Sequence, residues 1–277
     1  MEVETGTDTV WAEVTNGVGI VTLHRPERRN ALHPEMYDAV PRLLEQFIAD
    51  SDVGCIMITG AGTAFCSGGD VAGGTSRRKP ADDGAPVRTK TPKEQGSMLA
   101  RDARMVELLH DSPKVTLAAL PGAAVGAGLS IALSTDLRIA AESAKLIPGW
   151  AGLGFSGDFG GTWFLTQLVG PSKALELLIA NAPIDAQSAL ALGLVNRVVP
   201  DEEFLTSARG WAESIASGPR VAHGFMKENV RQAERLSLSE ALPLESERMA
   251  RSAGTQEHKA AVKRWMEEAA AKRAKRN

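Results

Sequence analysis

The residues of this 277-residue chain best suited to chemistry lie in two glycine-rich turns and one aspartate loop. The first turn is Phe65-Cys-Ser-Gly-Gly-Asp70 and the second is Gly126-Ala-Gly128. Each follows a buried apolar strand, and glycine lets another backbone or a ligand come close. The second turn opens an apolar segment with no polar face, which reads as a helix inside a core. Its first N–H groups lack partners and stand at the positive end of the helix dipole. Two backbone N–H donors converging on one carbonyl oxygen form an oxyanion hole, which stabilises the charge that develops when a thioester becomes an enolate or a tetrahedral species. A single Gly-x-Gly turn equally serves tight helix packing. The pair of turns is what points to chemistry.

Asp158 lies in Gly154-Phe-Ser-Gly-Asp-Phe-Gly-Gly-Thr-Trp163. Glycines on both sides let the backbone pass close to a ligand, and the aromatic neighbours would desolvate the carboxylate and raise its pKa toward that of a useful base. An N-cap for the following helix is the alternative, since aspartate is a favoured cap. Ser130 reads either as a hydroxyl satisfied by a carbonyl one turn back or as a substrate contact. Trp150 offers bulk for a pocket wall and a single N–H donor. Gly128-Leu-Ser-Ile-Ala132 looks like a loosened nucleophile elbow, but its serine falls within an apolar helix instead of on the sharp turn after a strand, which disfavours a serine hydrolase.

The elements that position these residues follow from pattern. Val10–Thr15 and Val18–Leu23 read as strands joined at Asn16-Gly17, a strong hairpin signal. Leu32, Met36, Val40, Leu43, Leu44 and Phe47 give a helix from about His33 to Ala49, with Pro41 as a possible kink. Gly54–Thr59 and Val115–Leu120 are short buried strands, and strand, helix, strand, glycine-rich turn is the grammar of an α/β fold. Residues 71–96 are rich in Gly, Pro and charge and read as a long lid or disordered connection, in which Arg77, Arg78 and Lys79 are a solvated charge run. Met98–Leu109 returns to helical spacing. The apolar runs Leu137–Ala141 and Leu146–Trp150 precede helices at Thr162–Val169, Ser172–Ala180 and Ala186–Gly193, then a strand at Asn196–Val199. Beyond Pro200 the pattern is helical, so the chain divides into a core over 1–200 and a helical region over 201–277.

Composition bounds the rest. A net charge of −3 gives no general attraction to nucleic acid or an acidic membrane. Two cysteines make neither a disulfide framework nor a zinc set, which fits a reducing cytoplasmic setting. The acidic start lacks a signal core, and no apolar run reaches the ~20 residues a membrane span needs.

The ordered series RPxRxNAL (25–32), FCSGGD (65–70), PGxxxGAG (121–128) and AxxxGLVNxVV (189–199) resembles the enoyl-CoA hydratase/isomerase family, the crotonase superfamily, over nearly the whole chain. The resemblance implies a spiral of ββα units followed by helices that build trimers, often paired into hexamers. It implies an acyl-CoA substrate, with coenzyme A entering as part of that substrate and no separate cofactor. The N–H groups of Gly69 and Ala127 match the oxyanion donors, while Asp70, Val71 and Ala72 match positions lining the coenzyme A adenine and pantetheine. Hydratases of the family carry two glutamates where this chain has Ser130 and Trp150, so the usual two-carboxylate addition of water lacks its side chains. Asp158 resembles the single catalytic aspartate of the ring-1,2-epoxyphenylacetyl-CoA isomerases and some enoyl-CoA isomerases. It also resembles the nucleophilic aspartate of 4-chlorobenzoyl-CoA dehalogenase, which likewise has a tryptophan eight residues ahead. The expectation is enoyl-CoA isomerisation with Asp158 as acid/base. The alternatives are an enoyl-CoA hydratase of fatty-acid oxidation, a dehalogenase-like enzyme, and an acyl-CoA binder without turnover.

Overall fold

The computed structural model describes residues 1–70 and 90–274. After a short strand β1 (Glu2–Val3), the hairpin forms as its turn chemistry dictates: β2 (Val10–Thr15) and β3 (Val18–Leu23) pair antiparallel around Asn16 and Gly17, at φ 48° and 78°. Helix α1 (Pro34–Ala49) takes Pro34 in its first turn and buries Met36, Val40, Leu43, Leu44 and Phe47. Pro41 lies inside it, buried, without ending it.

The chain then repeats one unit, in which a long buried strand turns back into a three-residue strand. These pairs are β4 (Cys55–Gly60) with β5 (Ala64–Cys66), β6 (Val115–Leu120) with β7 (Ala123–Val125), and β8 (Leu137–Ala141) with β9 (Lys145–Ile147). Between the first and second pairs lie α2 (Pro92–Asp102) and α3 (Arg104–Asp111), and between the second and third lies α4 (Ala127–Leu133). After β9 come α5 (Gly161–Ala180), β10 (Ile184–Asp185), α6 (Ala186–Ala191) and β11 (Arg197–Val199). The long strands build a seven-stranded sheet in the order β1-β2-β3-β4-β6-β8-β11, parallel from β3 onward. The short strands build a second sheet, β10-β9-β7-β5. This is the crotonase-like spiral.

One face of the large sheet packs Val21, Ile56, Ile58, Ala118 and Leu120 against α1, α3 and α4. The other face, with Ile20, Met57, Leu117 and Ile139, is covered by α7 (Phe204–Ala216), whose Ala208, Ala212 and Ala216 form a small-residue stripe at one-turn spacing. Helices α8 (Arg220–Ala233), α9 (Leu238–Ala253) and α10 (Gln256–Ala274) complete the helical C-terminal part. Among the described residues no helix is long and apolar enough to cross a membrane.

Two expectations need adjustment. Helix α2 starts at Pro92, six residues ahead of Met98, behind a capping box in which the Thr91 side chain accepts from the Glu94 N–H. None of its residues is buried, so hydrophobic spacing does not mark it. Helix α5 is two helices broken at Gly170, which has φ 76° and ψ 163°, in keeping with the separate runs Thr162–Val169 and Ser172–Ala180. Of the four short strands of the second sheet, β5, β7 and β10 carry no alternation of their own, so local pattern does not mark them. Val71, Ala72, Arg77, Arg78 and Lys79 lie outside the described residues.

Helix α4 is only seven residues long, too short to stand on its own propensity. Its far end is held by Arg138, 3% exposed, whose Nε donates to the Leu194 carbonyl at 2.7 Å and whose Nη1 donates to Thr135 and Leu133 at 2.5 and 3.4 Å. Arg138→Leu strips these buried carbonyls of their donor, at about 1–3 kcal/mol for each group left unsatisfied. We expect urea unfolding to register a loss of about 3 kcal/mol or more, and a loss below about 1 kcal/mol would show that the carbonyls find other donors.

Candidate active site

The first glycine-rich turn is shaped by the polar turn that precedes α1. Asn30, fully buried at φ 55°, accepts from the Arg25 N–H at 2.9 Å and donates to the carbonyls of Ala61 at 2.9 Å and Ala64 at 2.7 Å. It thereby locks residues 25–31 onto the β4–β5 turn. From this platform Arg29 offers its carbonyl to the Ser67 N–H at 3.0 Å, and the Leu32 N–H donates to the Gly68 carbonyl at 2.8 Å. Arg25 Nη1 donates to the Ala31 carbonyl at 2.8 Å and to Asp70 Oδ2 at 3.1 Å, with both side chains largely shielded. Asp70 therefore engages Arg25 through its carboxylate.

The second turn lies beside the first because β5 and β7 are adjacent parallel strands, paired Ala64 with Ala123 and Cys66 with Ala124. Their C-terminal ends face the same way, so the turns leaving them meet. A Cβ built on Gly68 would fall 2.8 Å from the Val125 carbonyl oxygen and 3.6 Å from the Ala127 nitrogen. One built on Gly128 would collide with the Cys66 carbonyl and fall 2.8 Å from the Cys66 Cβ. Both glycines are required by this approach. Ala127 is the first residue of α4, so its N–H has no intrahelical acceptor. Among the described residues neither the Gly69 nor the Ala127 N–H is paired with a backbone carbonyl.

The third wall comes from β9, parallel to β7, which delivers the chain to Trp150 and then through a loop to Asp158. Trp150 Nε1 donates to Asp158 Oδ1 at 2.8 Å, and the Ser130 hydroxyl donates to the Asp158 carbonyl at 3.1 Å, with Gly126 O at 3.4 Å. The indole also borders the second turn, since Nε1 lies 3.8 Å from where a Gly126 Cβ would be. The structure thus gathers Asp158, Trp150, Ser130 and Ala127 in one place. Asp158 does not cap α5, because Gly160 holds the cap position and the carboxylate turns to Trp150. Ser130 is fully buried and satisfied by main-chain carbonyls, as one of its two readings had it, and does not sit on a nucleophile elbow. Trp150, only 6% exposed, spends its single donor on the aspartate. The sequence reading singled out neither the Arg25 and Asn30 contacts nor Gly161, although all three residues fall inside motifs it quoted.

Burial pushes the Asp158 carboxyl above the usual aspartate range, and the Trp150 hydrogen bond works against that rise. A group whose folded pKa is raised contributes stability below its unfolded pKa and loses it as pH climbs through the folded value. Asp158→Asn keeps an acceptor for Trp150 and removes the buried charge. The variant should melt above wild type at pH 7, with the difference vanishing below about pH 4. A melting temperature equal to or below wild type at pH 7 would contradict a destabilised carboxylate.

The sequence profile of the enoyl-CoA hydratase/isomerase family matches residues 13–274. The chain is 33% identical over 236 residues to the 1,2-epoxyphenylacetyl-CoA isomerase of Escherichia coli, covering 85% of this chain and 87% of that protein. It is 32% identical over 251 residues to the short-chain-enoyl-CoA hydratase of Clostridium acetobutylicum, covering 90% and 91%. Among solved structures, a putative enoyl-CoA hydratase from Thermobifida fusca in complex with CoA superposes with a TM-score of 0.79 at 31% identity, over 90% of this chain and 95% of that one. The spiral fold, the paired glycine-rich turns and a match over nearly the full length place this chain in the enoyl-CoA hydratase/isomerase family.

Proposed function

We propose that this family member isomerises the double bond of an enoyl-CoA thioester, with Asp158 as the acid/base and the N–H groups of Gly69 and Ala127 holding the enolate oxygen. In this reading the Asp158 carboxylate takes a proton from C2 or C4, the electron pair moves onto the thioester oxygen, and the same carboxyl returns the proton to another carbon. Coenzyme A enters only as part of the substrate, so no other cofactor takes part. The observation that carries the reading is the half-buried Asp158 beside the second oxyanion turn, with its pKa raised toward that of a working base. The side chains at 130 and 150 are a serine and a tryptophan, both turned toward Asp158, which leaves one carboxylate where two would manage water. The isomerase named among the relatives supports the choice, while the hydratase named there keeps water addition as the competing outcome.

The Trp150 hydrogen bond favours a second reading, because it stabilises an ionised carboxylate and so suits a nucleophile as well as a base. Assay of enoyl-CoA and aryl-CoA thioesters for double-bond migration, water addition and halide release separates the three. Asp158→Asn should keep acyl-CoA affinity, since the oxyanion donors are main-chain groups, and lower kcat by about 10² to 10⁴. Ser130→Ala should cost far less. Turnover within a few-fold of wild type in Asp158→Asn would sink the mechanism.

We also propose that the protein assembles as a trimer or hexamer through its C-terminal helices. Support comes from the large apolar side chains left exposed on them: Met226 and Val230 on α8, Met249 on α9, and Trp265 and Met266 on α10. Sedimentation at micromolar concentration should return three or six chain masses, and a single chain mass would count against it.

A further inference from the structure

Gly161 is the first residue of α5, and its N–H donates to the Asp158 carbonyl at 3.0 Å, away from the carboxylate, while a side chain there would have the least room among the glycines around the candidate base. A Cβ built there would collide with Trp150 Cη2, and would fall 2.6 Å from Ser130 Oγ and 2.9 Å from Trp150 Cζ2. No real side chain tolerates such distances, so the indole of Trp150 occupies space that exists only because residue 161 has none. The φ of Gly161 is not in the left-handed region, in contrast to Gly160 at 75°. Backbone conformation therefore does not demand a glycine at 161. Packing against the six-membered indole ring and the Ser130 hydroxyl does.

We propose that Gly161 is a positioning residue: by admitting the Trp150 indole edge, it sets the Nε1–H hydrogen bond to Asp158 and so the orientation and proton affinity of that carboxyl. The inference rests on Asp158 being the acid/base. Burial and the Trp150 donor are the two influences on Asp158 among the described residues, and no charged side chain there moves it. The neighbouring elements contribute the neutral Ser130 hydroxyl from α4 and, behind Phe159, the Tyr37 ring of α1, with the Phe159 and Tyr37 centroids 6.1 Å apart.

Gly161→Ala places a good helix former in the first turn, and its melting temperature verifies folding. It should lower kcat by about 10- to 100-fold with KM within about threefold, and move the acidic limb of the kcat profile to higher pH, because the donor that lowers the Asp158 pKa is displaced. Phenylalanine at 150 lacks the ring atoms that collide. With Ser130→Ala in both arms, so that the hydroxyl 2.6 Å from the built Cβ is absent, Gly161→Ala should therefore cost no more than about threefold further once Trp150→Phe is added, a non-additive pair. Equal losses in both backgrounds would overturn the proposal, since the glycine would then act through something other than the indole. A readout independent of turnover is the indole N–H resonance of Trp150 in 15N-tryptophan-labelled protein, one of five such signals, assigned by its disappearance in Trp150→Phe. It should titrate with Asp158 in wild type and cease to do so in Gly161→Ala. A resonance that titrates identically in both would also overturn the proposal. Failure of the acid/base reading looks different: Asp158→Asn stays active while the Trp150 resonance still depends on residue 161.

Discussion

The close approach of two main-chain segments, with no side chain between them, is the constraint on which the rest of this structure depends. Gly68 lies against the Val125 carbonyl and Gly128 against the Cys66 carbonyl, so the turns after β5 and β7 touch backbone to backbone. Main-chain N–H groups are donors that no side-chain mutation removes. Their placement, however, is sensitive to every atom in between. Hence so much hydrogen bonding is spent upstream: buried Asn30 ties the 25–31 turn to the β4–β5 turn, and the carbonyls of residues 28 and 29 hold Ser67. The small sheet, with only three residues in each of these strands, does not hold its turns by itself.

Asp158 is the titratable group set beside the second turn, as the Arg25–Asp70 ion pair stands at the first. Its environment pulls both ways, since burial favours the protonated form and the Trp150 indole favours the ionised one. A carboxyl balanced in this manner takes and returns a proton within one cycle more readily than one fixed in either state.

Much of this was legible in the sequence, and the reasons for success and failure are physical. The Asn16-Gly17 hairpin and the end of β6 at Pro121-Gly122 follow from local turn chemistry, and both strands of the hairpin fall where their pattern puts them. Helix α4 was legible because a run apolar on every side has nowhere to go but the core. The strand Ala64–Cys66 was not, because three small or apolar residues show no period and their pairing partner lies far along the chain. Asp158 stood out by its glycines, while its hydrogen bond to Trp150 did not, because the single 3-10 turn and irregular chain between them set no spacing that a sequence period reveals. The capping alternative for Asp158 failed because Gly160 already supplies the left-handed entry to α5.

The clamp on the far end of α4 bears on the order in which the molecule comes together. Arg138 bonds the carbonyl of Leu194, 56 residues later, and its own N–H is taken by the Asn196 side chain, 58 residues later. A seven-residue helix gains almost nothing from local cooperativity, so its exit is held by tertiary partners, Asp136 against Thr116 of β6 and Arg138 against the 194–196 segment. Contacts so distant along the chain form late, since loop closure must come before they contribute. A nascent chain still short of residue 194 therefore carries every residue of the two glycine-rich turns and Asp158, while the Leu194 and Asn196 half of that clamp has yet to be made.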